Sequence, residues 1–428
     1  MRFLSYLQPA KPNDKWLFIC LLVILEPIVY CLFQNYLSYF SINIVLGVGI
    51  AGVLLYDFIL ARIRRNKFVV EKNTTFWFGF AFIFWMFIGS FFTVNASPTW
   101  IGVSNGKYVK ESIFQFIFYF LFFCAARKTQ KCNRYWLTSV MVWLMCFYIA
   151  LGFVGKAGVD IPGYIASNKY AMAFYHINHA GYLAVVTGTL AFSKFVMNDS
   201  WRSRVPFGVA FALHAVYFCV NGSLGPILAI IATIVMVFVV YLARKKWRFV
   251  RRMAIVLAVF VCAFCVFDFV PKIKDIRSEQ VPLYTQIAGV VCDTIGVEYT
   301  YRGKTIEGSD GWARKEMWED SIETTLERPL FGTGASTFED VHPEYGLHNP
   351  HNEFLQYSSS NGIPCLMFYL AFVLSVVVTN FKKRKEVCEV QKYSTFAMIG
   401  YLISSFFGCT IVCVMPQYFM VIGFATEK

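Results

Sequence analysis

The sequence predicts an all-α, polytopic membrane protein of about twelve spans with one large external loop between spans nine and ten. Three observations predict it. Hydrophobic residues make up 57% of the chain and charged ones only 15%, whereas soluble domains carry about 25% charged residues. Apolar runs close to the roughly 20 residues that a spanning helix needs recur along the chain. Basic residues gather in alternate loops between those runs, the pattern that orients membrane proteins.

The runs fall at 16–33, 40–60, 76–94, 112–126, 135–154, 177–197, 205–220, 224–242, 253–270, 365–381 and 395–414, with a short apolar tail at 418–424 as a twelfth. Arg62, Arg64, Arg65 and Lys67 follow the second run; Arg127, Lys128, Lys131 and Arg134 follow the fourth; Arg202 and Arg204 follow the sixth. Arg244, Lys245, Lys246, Arg248, Arg251 and Arg252 follow the eighth, and Lys382, Lys383, Arg384 and Lys385 the tenth. Every even-numbered exit is basic, so these loops and the N-terminus are expected in the cytoplasm. The N-terminus shows no signal-peptide cleavage pattern, so its first run is expected to stay as a span. The net charge of +13 therefore reports membrane orientation and not a nucleic-acid partner. The thirteen cysteines lie mostly inside apolar runs, where Cys acts as a small hydrophobe. The one CxxC spacing, Cys262 to Cys265, falls inside an apolar run, so no disulfide framework is expected.

Three regions follow: a bundle of spans one to nine at 1–270, an external loop domain at 271–353, and C-terminal spans at 354–428. Within the loop, acidic residues outnumber basic ones, as befits an external segment. A helix is expected from Ser309-Asp310 to about Glu327, where Arg328-Pro329 stops it. Arg314 and Trp318 then share a face, four residues apart. Leu330-Phe331-Gly332-Thr333-Gly334 reads as a turn; no third glycine opens a following helix, so it is not a dinucleotide fingerprint.

The stretch with the most chemistry is Leu347 to Pro364. Asn349 is a good N-cap and Pro350 suits the first helical position. His351 is then expected in the first turn, beside free backbone N–H groups that hold the imidazole neutral and offer a seat for a phosphate. Asn361-Gly362 is a stop, reinforced by Pro364. The bland alternative is a capped helix with a surface histidine.

In these residues the chain resembles the bacterial O-antigen ligase and O-antigen polymerase superfamily, over its whole length. Ligases of that family carry His, then Asn, Ser or Gln, nine residues and Gly, which His351-Asn352 and Gly362 reproduce. The family's Arg before a Trp, then Pro and a GxG turn, is met by Arg314, Trp318, Pro329, Gly332 and Gly334. Asn178-His179-Ala180-Gly181-Tyr182 resembles the start of a middle span in that family. There are two departures. Cys365 stands where Gly, Thr or Tyr is usual, and Ser223-Leu224-Gly225 stands where many members have Ser-Arg-Gly, so that arginine is absent unless Arg302 or Lys304 replaces it.

The resemblance implies a glycosyltransferase of the bacterial inner membrane, in cell-surface polysaccharide or lipopolysaccharide synthesis. It takes a glycan linked through diphosphate to undecaprenol and gives it to a glycan, lipid or protein acceptor outside the cytoplasm, with no metal and no cofactor. His351 and Arg314 are the expected catalytic pair, as base and diphosphate ligand. Asn352, Arg302, Trp318 and Gly362 are the expected substrate-binding residues. For Arg314 alone the alternative is a salt bridge, for instance to Asp310. The rival function is a transporter or flippase of a lipid-linked glycan; against it, the chain shows no paired halves and its polar residues concentrate in one loop.

Other groups read more plainly. His176 and His179, three apart at the end of a span, are expected to be an interfacial polar pair, since no third metal ligand and no HExxH is evident. His214, alone in an apolar run, either faces a cavity or bonds a neighbouring helix. Glu339-Asp340 is expected on a solvated surface, and no DxD is present.

Overall fold

A computed structural model of the chain describes residues 11, 13–33, 38–63, 73–104, 109–157, 159, 174, 176–269, 283–294, 297, 299–301, 304–305, 311–347 and 349–426. The described chain is helical apart from two antiparallel ladders of two-residue strands, Val103–Ser104 with Val109–Lys110 and Thr300–Tyr301 with Lys304–Thr305. In order the helices are α1 (Lys15–Ile24), α2 (Glu26–Phe33), α3 (Tyr39–Ile63), α4 (Thr74–Gly89), α5 (Ala96–Trp100), α6 (Ile113–Lys128), α7 (Lys131–Lys156) and α8 (Ile177–Met197). They continue as α9 (Trp201–Asn221), α10 (Leu224–Ala243), α11 (Trp247–Phe269), α12 (Leu283–Thr294), α13 (Gly311–Glu327), α14 (Phe338–Val341), α15 (Glu353–Asn361), α16 (Ile363–Lys382), α17 (Glu389–Ser405) and α18 (Met415–Ala425).

Eight helices among the described residues (α3, α7 to α11, α16, and α4 with its 3-10 extension) are long and apolar enough to cross a membrane. These are eight of the twelve expected runs; the others form shorter helices, for local reasons. The run at 16–33 divides into α1 and α2 around Leu25, because Pro27 has no N–H to continue the helical ladder. The run at 395–414 stops at Ser405, and the next segment turns before α18. Helices α6, α17 and α18 have 16, 17 and 11 residues.

Two helices make the centre. α8 is enclosed by α7, α9, α10 and α17, with nearly every residue from Ala180 to Met197 buried. Its small residues Ala180, Gly181, Ala184, Gly188 and Ala191 let neighbours approach closely. α18 is buried from end to end and lies against α6 and α17. Its last carbonyls need partners, and the fully buried Arg134 supplies them: Nη1 donates to Phe424 O at 3.2 Å and to Thr426 O at 2.9 Å. A guanidinium has five donors and suits such a cluster of carbonyls. His214 follows its bland alternative, contacting Thr187 Oγ1 at 3.0 Å and the Ala210 carbonyl at 2.8 Å.

Candidate functional site

The site is built on α15 and the turn before it. The helix does not begin where the sequence suggests. Asn352, not Asn349, is the N-cap: its Oδ1 accepts from Phe354 N at 3.0 Å and Leu355 N at 3.2 Å. One carboxamide thus satisfies two of the helix's orphan donors. Asn349 instead makes a local turn, its Oδ1 accepting from His351 N at 3.1 Å. His351 lies ahead of the helix, in the left-handed region at φ 52°. The expectation of a first-turn histidine beside a phosphate seat is therefore corrected, since Asn352 already holds those N–H groups.

The far end of α15 is capped from outside. Thr333 N donates to Ser359 O at 3.0 Å and Gly334 N to Ser360 O at 2.8 Å, while Ile363 N donates to Pro329 O at 2.8 Å. The GxG turn is thus a device for satisfying the last carbonyls of the helix that presents His351. Gly362, at φ 83°, lies so close to the 330–331 backbone that a Cβ there would stand 2.0 Å from Leu330 O. Its place in the motif is explained by this backbone approach and not by contact with a substrate. Pro364 does not end a helix but opens α16, in whose first turn it lies.

α13 lies alongside α15, tied by Thr325 Oγ1 to Ser358 Oγ at 3.1 Å. Trp318 donates from its indole N–H to Pro350 O at 3.0 Å and packs edge-on against Phe406. One turn earlier on the same face is Arg314, half-buried. The tryptophan therefore joins the Arg314 helix to the residue before His351. Arg302 and Asp310 lie outside the described residues, and so does the side chain of Lys304.

The N-terminus of α8 completes the cluster. His176 is its N-cap, with Nδ1 accepting from Asn178 N. His179 stands next to it, ring centroids 5.9 Å apart, and is near enough to His351 for a proton on either ring to be felt by the other. Tyr182, one turn on, lies within electrostatic reach of Arg314 and donates to Phe407 O at 3.1 Å. Asn178 and Ser223 are joined at 2.6 Å, so the Ser223-Leu224-Gly225 turn borders the same end of the bundle. Arg314, His351, His179 and His176 thus gather there. The histidine pair at the start of α8, read from sequence as merely interfacial, belongs to this neighbourhood.

Beneath His351 lies a carboxylate that sequence reasoning passed over. Glu353 is fully buried and accepts from Tyr369 at 2.8 Å and Tyr401 at 2.9 Å. Burial pushes it up to about 7 against the pull of these hydrogen bonds. Glu111, accepting from Tyr119 at 2.5 Å, is also pushed up to about 7 by burial, with Glu353 adding to the rise. The available signal was an acid directly after His-Asn in a chain where tyrosines recur in the later apolar helices.

A separate polar group, Asp320, His342 and Glu344, brings its ligand-type atoms within 4.8 Å of one another. Asp320 accepts from Tyr345, His342 contacts Thr324 at 2.9 Å, and Glu344 pairs with His342 at 3.4 Å.

Fold and site together define a multi-pass helical membrane protein with a histidine and arginine cluster at one end of its bundle. Residues 207–370 match the family model of O-antigen ligase. The match supports the O-antigen ligase superfamily and, with it, a membrane glycosyltransferase role in polysaccharide biosynthesis. It takes in Arg314, Trp318, His351, Asn352 and Gly362 and leaves out Glu111 and the start of α8. No curated protein matches the chain.

Proposed function

We propose that the chain transfers an undecaprenyl-diphosphate-linked glycan to an acceptor on the outer face of the bacterial inner membrane, without metal or cofactor. The observation that carries this most directly is the Trp318 to Pro350 hydrogen bond. It couples the helix of a permanent cation to the turn of a histidine, the two groups such a transfer needs. His351 takes the proton of the acceptor hydroxyl as that oxygen bonds to the anomeric carbon of the donor. The bond from that carbon to the diphosphate oxygen breaks, and undecaprenyl diphosphate leaves with the electron pair. Arg314 meets the charge that develops on the leaving group, since a guanidinium stays ionised and offers paired donors. Asn352 holds the backbone that presents His351. Arg302 is retained as a further diphosphate contact. The alternating basic loops support a cytoplasmic N-terminus and an external site.

The test compares the chain with His351→Ala in membranes, supplying undecaprenyl-diphosphate glycan with EDTA present, and follows new glycosidic bonds. Transfer by the unmodified chain and its loss, by about a hundredfold or more, in the folded variant is expected. Full activity in the variant would remove His351 as base. Movement of the glycan across the membrane with no new bond would make the protein a transporter.

A further inference from the structure

The start of α8 holds a polar group that the transfer step as written does not use. His179 is partly exposed as a side chain, yet its Nδ1 is buried and has no hydrogen-bond partner among the described residues. An unmatched buried nitrogen costs free energy unless something outside the chain meets it. The ring is near enough to His351 for a proton on either to be felt by the other, and Tyr182, on the next turn of the same helix, donates to Phe407 O, next to the Phe406 that packs on Trp318. The nitrogen therefore lies near the groups assigned to the reaction. The residues 207–370 that match the family do not include it.

The chemistry of the missing partner follows from the atom. In a neutral imidazole Nδ1 either donates or accepts, according to tautomer. A phosphate oxygen only accepts, and the fixed cation Arg314 is better suited to it. A sugar hydroxyl donates and accepts, so it satisfies Nδ1 in both tautomers. Of the two substrates, the acceptor is the one whose hydroxyl must come to His351.

We propose that His179 is an acceptor-binding residue: its Nδ1 hydrogen-bonds a hydroxyl of the acceptor sugar adjacent to the hydroxyl that His351 deprotonates. The assignment rests on the transferase function above. His176 caps α8 and fixes the backbone that carries the ring.

The experiment uses the full chain in membranes or detergent. Undecaprenyl-diphosphate glycan is the donor, and the oligosaccharide released from it by mild acid is the acceptor; KM is measured for each. His179→Ala is expected to raise the acceptor KM about tenfold or more, leaving the donor KM within about twofold, the loss of one hydrogen bond being worth roughly that factor. His179→Asn keeps an amide near the place of Nδ1 and is expected to restore most of the loss; His179→Gln, which reaches the place of Nε2, is not. An unchanged acceptor KM, or a rise in the donor KM instead, overturns the proposal while the transferase function stands. If the unmodified chain forms no glycosidic bond to this oligosaccharide or to any acceptor of its own membranes, the transferase function fails and His179 loses its role with it. Should the variants not fold, histidine carbethoxylation of the unmodified chain decides: protection of His179 by the oligosaccharide supports the assignment, and protection only by the donor, or by neither, refutes it.

Discussion

At the residue scale, Glu353 is the most consequential side chain that the motif register does not name. It follows the His-Asn pair directly, yet it points into the bundle, where Tyr369 and Tyr401 donate to it. Its ordinary value near 4.5 is raised to about 7. A carboxyl raised on folding contributes stability that is full below its unfolded value and is lost as pH rises through its folded value. Thermal stability in detergent should therefore decline from about pH 5 to about pH 8, by on the order of 3 kcal/mol per uncoupled group. Glu353→Gln keeps the neutral shape and should flatten much of that slope, and Glu111→Gln with it should flatten the rest. A slope unchanged in the double variant would show that neither carboxyl is held neutral.

At the scale of elements, α15 is short and stands because both its ends are satisfied, by Asn352 at one and by the GxG turn at the other. Gly362 is the point where this arrangement tolerates no side chain, as its Cβ would meet the Leu330 carbonyl. Gly362→Ala should lower stability by about 2–4 kcal/mol, combining backbone strain with a clash that has nowhere to relax. Gly346 also has a positive φ, 58°, but open space around it. Gly346→Ala should cost only about 1–2 kcal/mol. Comparing the two thermal midpoints checks this, and equal losses would mean that the close approach to Leu330 does not matter. Register legible in the sequence, His351 to Gly362, thus survives in the structure with a different meaning. The motif's ends are a strained turn and a backbone contact, and the helix between them begins three residues later than Asn349 suggested.

For the whole molecule, α8 and α18 are wrapped by the other helices, and the groups proposed to react sit at the end of the bundle where α8, α10 and α16 begin. The charge asymmetry of the loops predicts that this end faces outside. Reporter fusions should locate it: a phosphatase joined after Tyr345 is expected to be active, and one joined after Lys246 inactive. The opposite pattern would place the cluster in the cytoplasm and end the proposal of an external acceptor.

The sequence by itself determined the membrane class, most helix positions, the spacing of His351 and Gly362, and the Arg314 and Trp318 face. Each is a local matter of composition, periodicity or capping, and α8 and α10 begin where the sequence places them. Only the tertiary structure decided that Asn352 rather than Asn349 caps the helix, because two plausible caps differ in which N–H groups come within reach. It also decided that His179, more than 170 positions before His351, shares its surroundings, and that Glu353 faces tyrosines from two other helices. Such meetings depend on how helices pack, and no spacing along one chain segment encodes which end of a distant helix arrives beside it.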